Sequence, residues 1–114
     1  MIVIVDDNRN IGEGLKGVLG EDGYMVDTLN NGSELYAYLK EKPAHVIVLD
    51  IMMPEKDGIE VLSKIKGEWK NIKVIIYSGH PEYEHPAYAK KADMFVLKGG
   101  NPQILLDAIE KVLR

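Results

Sequence analysis

The sequence predicts a three-layer, doubly wound α/β domain in which five parallel strands alternate with five helices. Short and almost wholly apolar runs recur along the chain, as is typical of strands that are buried on both faces of a parallel sheet. The longer segments between them repeat apolar residues every three or four positions, which indicates one buried face of a helix. Right-handed crossovers between such strands place helices on both faces of the sheet.

The five strands are expected at residues 2–5, 24–29, 45–49, 72–77 and 94–97. The second contains polar residues, which favours a position at the edge of the sheet, whereas the third is nearly all apolar and should be central. The first helix is expected to end near Gly20 or Gly23, since glycine commonly terminates helices.

Capping residues and prolines predict where the remaining helices begin and end. Ser33 is expected to cap the second helix, and the third should begin at about Asp57. Pro86 allows only a short fourth helix, because a proline in a helical interior costs about 3 kcal/mol. Asn101 followed by Pro102 is a favourable start for the last helix.

The composition is that of one folded domain covering residues 1–114, with 46% apolar and 28% charged residues. The formal charge of −4 and the lack of a basic block argue against direct nucleic-acid binding. The absence of cysteine excludes a disulfide framework and a thiolate nucleophile. No apolar run could cross a bilayer and the start lacks a basic signal region, so we expect a cytoplasmic protein without a membrane partner.

Polar and charged residues follow four of the predicted strands: Asp6 and Asp7 the first, Asp50 the third, Ser78 the fourth and Lys98 the fifth. Because the carboxyl ends of parallel strands meet at one edge of a sheet, these side chains are expected to converge. Clustered carboxylates repel one another unless a cation neutralises them. Mg²⁺ is suited to this role, since it binds carboxylates, waters and phosphate oxygens.

Each of these residues also has a structural interpretation. Asp6, Asp7 and the following Asn8 could cap the first helix, Ser78 could belong to a turn, and Lys98 could be a solvated surface lysine. Their shared position at strand ends favours a functional site.

Four stretches of the sequence resemble the receiver domain of bacterial two-component response regulators, of the chemotaxis-regulator type. They are residues 3–7, residues 46–54 with Asp57-Gly58, residues 77–79 and residues 95–98, so the resemblance covers essentially the whole chain. It implies a flavodoxin-like sheet with strand order 2-1-3-4-5.

The resemblance also implies a chemistry. Asp50 would accept a phosphoryl group from a sensor histidine kinase or a phosphotransfer protein. Mg²⁺ would be held by Asp6, Asp7, Asp50 and the backbone carbonyl of Met52. The domain would catalyse only its own phosphorylation and dephosphorylation.

The remaining residues implied by the resemblance concern the response to phosphorylation. Lys98 and Ser78 would bind the phosphoryl group, and Ser78 with Phe95 would switch conformation to alter binding of a downstream protein or a fused effector domain. Phe95 could equally be a permanently buried core aromatic. The usual lysine-proline pair is replaced by Lys98-Gly99-Gly100, and dimerisation is left open.

Three other functions compete with this one. A phosphatase of the haloacid-dehalogenase type needs a second aspartate two residues after the nucleophile, where this chain has Met52. A flavodoxin-type ligand module needs a phosphate-binding loop rich in Gly, Ser and Thr after the first strand. A pseudo-receiver that binds partners without phosphorylation is the remaining alternative. The sequence leaves open whether the domain stands alone or belongs to a longer regulator.

Overall fold

The computed structural model describes residues 1–51, 58–80 and 91–114. These residues form five strands and four helices, and none of the described helices is long and apolar enough to span a membrane. The short helix expected near Pro86 lies outside the described residues. In chain order the elements are β1 (Ile2–Val5), α1 (Arg9–Glu21), β2 (Val26–Leu29), α2 (Gly32–Glu41), β3 (Val46–Leu49), α3 (Gly58–Glu68), β4 (Lys73–Ser78), β5 (Met94–Leu97) and α4 (Pro102–Leu113).

The strands form a single sheet of order β2-β1-β3-β4-β5, and every neighbouring pair is parallel. The strand order implied by the resemblance is therefore confirmed, as are the edge position of β2 and the central position of β3. The last residue of β1, Val5, pairs with both Leu29 and Leu49. This register brings the residues that follow β1 and β3 to the same edge of the sheet.

The two faces of the sheet carry separate hydrophobic cores, which explains why the inner strands β1 and β3 are apolar throughout. The first core lies under α2 and α3, and its largest members include Ile47, Leu49, Ile76, Leu35, Leu62 and Ile65. The second core lies under α1 and α4, and it includes Ile2, Ile4, Ile75, Leu19, Leu105 and Ile109.

The end of α1 shows why β2 begins later than the sequence predicts. The N–H of Tyr24 donates to the Leu19 carbonyl at 3.2 Å, and the N–H of Gly23 donates to the Gly20 carbonyl at 3.1 Å. This is a Schellman motif, with Gly23 at φ 93° where glycine is favoured. Tyr24 therefore completes the helix end, and the strand starts only at Val26.

The predicted cap of α2 is wrong. Asn31, rather than Ser33, has the extended backbone of a cap residue, and its Oδ1 accepts a hydrogen bond from the Glu34 N–H at 2.9 Å. The Glu34 carboxylate in turn accepts from the N–H of Asn30 at 2.6 Å, close to a reciprocal capping arrangement. Ser33 lies within the first turn. The cap expected for the last helix is confirmed, since Asn101 Oδ1 accepts from the Gln103 N–H at 2.9 Å.

Candidate functional site

Three carboxylates meet at the carboxyl edge of the sheet. Asp6, Asp7 and Asp50 each place one carboxylate oxygen within 4.8 Å of the others. Asp6 and Asp50 are 4% and 6% exposed, whereas Asp7 is open to solvent. The cluster therefore has a buried base and one accessible side.

Backbone hydrogen bonds hold the two buried aspartates in line with the neighbouring strands. The Asp6 N–H donates to the Leu29 carbonyl at 3.1 Å, and the Asp50 N–H donates to the Val5 carbonyl at 2.9 Å. Both residues thus continue the ladder of the parallel sheet by one step. Their side chains are placed by the register of the strands rather than by the loops that follow.

Helix capping does not account for these aspartates. The cap of α1 is Asn8, whose Oδ1 accepts from the N–H groups of Asn10 at 3.0 Å and Ile11 at 3.4 Å. Asp6 uses Oδ1 to accept from the Asn8 N–H at 2.9 Å, and its Oδ2 is directed toward the acidic cluster. The structural interpretation of Asp6 and Asp7 as caps is therefore wrong, and the capping function falls on their neighbour.

Lys98 is shared by the two buried carboxylates. Its Nζ lies 2.7 Å from Asp6 Oδ2 and 3.2 Å from Asp50 Oδ2, and its backbone N–H donates to the Ser78 carbonyl at 2.8 Å. Burial acts to lower the pKa of Lys98, but the contact with Asp6 and the charge of Asp50 outweigh it and raise that pKa. One ammonium facing three carboxylates leaves the site negative.

The acidic cluster fits a divalent cation. Among the described residues, Asp6 Oδ2 is a buried oxygen that has no hydrogen bond of suitable angle, although the Lys98 ammonium is its ionic partner at 2.7 Å. A carboxylate oxygen has two lone pairs, so a metal ion could share this oxygen with the ammonium or displace it. With two further carboxylates within 4.8 Å, the donor set is the all-oxygen type that Mg²⁺ prefers.

Ser78 is the last residue of β4 and is fully buried. Its Oγ accepts a hydrogen bond from the His80 N–H at 3.1 Å. A hydroxyl has one proton and two lone pairs, so Ser78 can still donate to another acceptor. The hydroxyl is thus linked to the backbone that leaves the sheet after β4.

Two site residues predicted from the sequence remain, Phe95 and Met52, and the structure describes only the first. Phe95 is half-buried, packs against the first core, and lines a groove between β5 and α4. Met52, with the carbonyl implied as a metal ligand, lies outside the described residues.

Gly58 has a steric role that the sequence motif did not reveal. Its N–H donates to the Ile51 carbonyl at 3.1 Å, and a Cβ built on it would lie 2.5 Å from the Ile51 backbone. Only glycine permits this approach, which closes the chain between Asp50 and α3.

Two further features near Lys98 were not predicted from the sequence: the position of the Tyr77 ring and the turn at Gly99. The Lys98 Nζ lies 5.8 Å from the centre of the Tyr77 ring. Gly99 has φ 89°, which favours glycine and which a proline cannot adopt, so the turn after Lys98 is not one that a lysine-proline pair could form. The sequence shows that two glycines replace the usual proline after the lysine, but it does not show the turn that they form.

The sheet order defines a flavodoxin-like α/β domain, and the acidic cluster with its lysine lies at the carboxyl edge of that sheet. The model of the response regulator receiver domain family matches residues 2–110, and the chain belongs to that family.

Named relatives and solved structures agree with this assignment. The response regulator RR06 of Streptococcus pneumoniae is 34% identical over an alignment of 115 positions that covers 99% of this chain and 52% of RR06. The response regulator TrrA of Thermotoga maritima, in complex with Mg²⁺-BeF, is 34% identical with a TM-score of 0.92 and covers 97% of this chain and 96% of its own. TrrA in complex with the histidine kinase ThkA gives the same identity and TM-score, with coverages of 99% and 97%. The chain spans about half the length, or less, of most of the curated relatives it matches.

Proposed function

We propose that residues 1–114 form a receiver domain that accepts a phosphoryl group on Asp50 from a sensor histidine kinase or a phosphotransfer protein. The observation that carries this proposal is the placement of the Asp50 carboxylate, buried beside two further carboxylates and 3.2 Å from the Lys98 ammonium. The complex of TrrA with the kinase ThkA supports the class of donor. We also propose that the domain acts in the cytoplasm, where it would meet such a donor.

The proposed reaction exchanges one bond to phosphorus for another. An Asp50 carboxylate oxygen forms a P–O bond while the P–N bond to the donor imidazole breaks, and the imidazole leaves. A carboxylate is a weak nucleophile toward an anionic phosphoryl group. Positioning and charge neutralisation by the surrounding residues must therefore supply most of the rate enhancement.

Asp6, Asp7, Asp50 and the backbone carbonyl of Met52 would hold Mg²⁺. When bound, the ion supplies positive charge that neutralises and orients phosphoryl oxygens. The accessible Asp7 lies at the open side of the cluster, whereas the buried Asp6 already has the lysine as a partner. TrrA, which was solved with Mg²⁺-BeF, supports this choice of ion.

Lys98 would pair with a phosphoryl oxygen as a compact point charge. Ser78 would donate its hydroxyl to the phosphoryl group while still accepting from the His80 N–H, so that phosphorylation alters the backbone after β4. Phe95 occupies the aromatic switch position but already packs against the first core, so it would respond only weakly, and a downstream protein or a fused effector would read the change that begins at Ser78. Catalysis by the domain would be limited to gain and loss of its own phosphoryl group.

Intact mass after incubation with Mg²⁺ and acetyl phosphate tests the proposal. We expect the wild type to gain the mass of one phosphoryl group, and the gain to disappear with EDTA or with Asp50→Asn. Asp107→Asn is the matched control, because Asp107 is an exposed carboxylate on α4 that accepts only from the neighbouring Gln103 side chain in the described contacts. A wild type that folds, binds Mg²⁺ and gains no mass would favour the pseudo-receiver alternative.

A further inference from the structure

The Lys98 ammonium lies near an aromatic ring as well as beside two carboxylates. Its Nζ lies 5.8 Å from the centre of the Tyr77 ring, which is within the range of about 6 Å for attraction between a cation and an aromatic face. Tyr77 is half-buried on β4 and packs against the second core. The ring is therefore held by the sheet, whereas the lysine is carried by a turn.

The backbone N–H of Lys98 is anchored to the Ser78 carbonyl at 2.8 Å, but the chain turns immediately afterwards, so the long side chain is not fixed by its neighbours in sequence. Lys98 and Gly99 form the turn after β5, and Gly100 follows. Glycine is the most flexible residue, and lysine has a four-carbon stem with several rotatable bonds. A fixed contact near the ammonium is needed if the lysine is to remain at the site.

The two carboxylates cannot supply that contact throughout the proposed reaction. Asp6 and Asp50 are both assigned to Mg²⁺, and Asp50 also becomes the phosphoryl acceptor. Both would exchange their lysine contact for other partners. The Tyr77 ring takes no part in these exchanges and keeps its position on β4.

We propose that Tyr77 is a positioning residue that holds the Lys98 ammonium near Asp50 while the carboxylates change partners. This inference rests on the proposed function. A neutral ring attracts the cation without competing for Mg²⁺ and without repelling the phosphoryl group, as a carboxylate in the same place would.

The electrostatic surroundings of the phenol agree with this role. Burial raises the pKa of Tyr77, the charge of Lys98 acts in the opposite direction, and Asp6 raises it further. The net increase keeps the phenol neutral under ordinary conditions. The ring is thus present in the form that attracts a cation through its face.

Three replacements of Tyr77 separate the ring face from the hydroxyl and from shape. Tyr77→Phe keeps the face, Tyr77→Ile removes it but suits a strand, and pentafluorophenylalanine in place of Tyr77 keeps the shape while reversing the polarity of the face. The readout is the rate of Asp50 phosphorylation by acetyl phosphate at saturating Mg²⁺. We expect Tyr77→Phe to stay close to wild type and the other two to be about fivefold slower.

A second set of measurements shows whether Tyr77 acts through Lys98. In a Lys98→Met background, Tyr77→Ile should slow phosphorylation no further. The ¹⁵N order parameter of the Lys98 ammonium should fall in Tyr77→Ile, while Mg²⁺ affinity changes by less than about twofold, because the ring contributes no ligand.

Three results would overturn the inference. They are an unchanged rate with pentafluorophenylalanine, a slow Tyr77→Phe, and equal slowing by Tyr77→Ile with and without Lys98. If the wild type itself is not phosphorylated, the proposed function fails; the ammonium order parameter then decides the inference separately, and an unchanged value in Tyr77→Ile contradicts it.

Discussion

The ammonium of Lys98 lies 2.7 Å from Oδ2 of Asp6, closer than the 3.2 Å that separates it from Oδ2 of Asp50. The residue proposed to contact the phosphoryl group is thus held most closely by a carboxylate proposed to bind the metal. Lysine and Mg²⁺ are both attracted to the same buried oxygen, and as like charges they repel each other. Several properties of the domain should follow from this competition.

Replacing Lys98 by methionine should tighten Mg²⁺ binding by about three- to tenfold, because it removes a positive charge from the metal site and releases Asp6. Phosphorylation of Asp50 should become slower in the same variant. Isothermal titration calorimetry measures the first effect. Lys73→Met is the matched control, since Lys73 is an exposed lysine at the opposite end of β4. Weaker Mg²⁺ binding by Lys98→Met would contradict the competition.

The contribution of Lys98 to stability should depend on pH. The pKa of Lys98 in the folded protein is raised above its ordinary value of 10.5, so the ion pair stabilises the fold at pH values below 10.5 and this stabilisation is lost as pH rises through the folded pKa. In metal-free solution at neutral pH, urea unfolding should give a larger free energy of unfolding for the wild type than for Lys98→Met. This difference in free energy should shrink in strongly alkaline solution. A difference that grows there would contradict the predicted pH dependence.

Gly58→Ala should destabilise the domain by about 2 kcal/mol, because the added Cβ would overlap the Ile51 backbone. The shift should also reach Asp50, which precedes Ile51, and weaken Mg²⁺ binding. Gly17→Ala is the control, as Gly17 lies in α1 and a Cβ added there would meet no neighbouring atom within 4 Å. That change should stabilise by about 0.5–1 kcal/mol. Equal stability of the two variants in urea unfolding would reject the steric role of Gly58.

Ser78→Ala should retain phosphorylation of Asp50 within a few-fold, while the response of the backbone after β4 is reduced. The alanine has no hydroxyl to accept from the His80 N–H or to donate to the phosphoryl group. Amide NMR with Mg²⁺ and beryllium fluoride should show a smaller shift of the His80 signal than in wild type. Ser78→Thr keeps the hydroxyl and should show the same shift of the His80 signal as wild type. A full shift in Ser78→Ala would mean that the site acts on the His80 backbone through another residue.

The ring of Phe95 should move little when the site is filled. It already packs against the first core, and it has no hydroxyl to favour a solvent-facing position. The chain contains one phenylalanine, so labelling with fluorophenylalanine gives a single ¹⁹F resonance. We expect a small change in its shift on adding Mg²⁺ and beryllium fluoride. A large change, as for a ring that turns from solvent to core, would assign Phe95 a full switching role.

Secondary structure could be predicted from the sequence where one physical requirement, such as burial on both faces of a strand, decides the residue types. Strands buried on both faces must be apolar on both faces, so residues 2–5 and 45–49 were predicted as buried strands, and the structure has them at Ile2–Val5 and Val46–Leu49. The cap of α2 was not, because Asn31 and Ser33 both carry suitable oxygens. The choice between them depends on which backbone is extended and which oxygen reaches the Glu34 N–H.

The amino-acid sequence alone determined the class of fold, the carboxyl ends of the strands to within one residue and the residue types that gather there, because a buried strand must be apolar along its own length. Only the tertiary structure decided that Asn8 rather than Asp6 caps α1, that Lys98 is closest to Asp6, and that its ammonium also meets the Tyr77 ring. The cap is a local choice between neighbouring residues, whereas the two contacts of Lys98 join residues far apart in the chain. They depend on strand register and on the turn at Gly99, and distances of a few ångströms between side chains follow from that packing rather than from any local pattern.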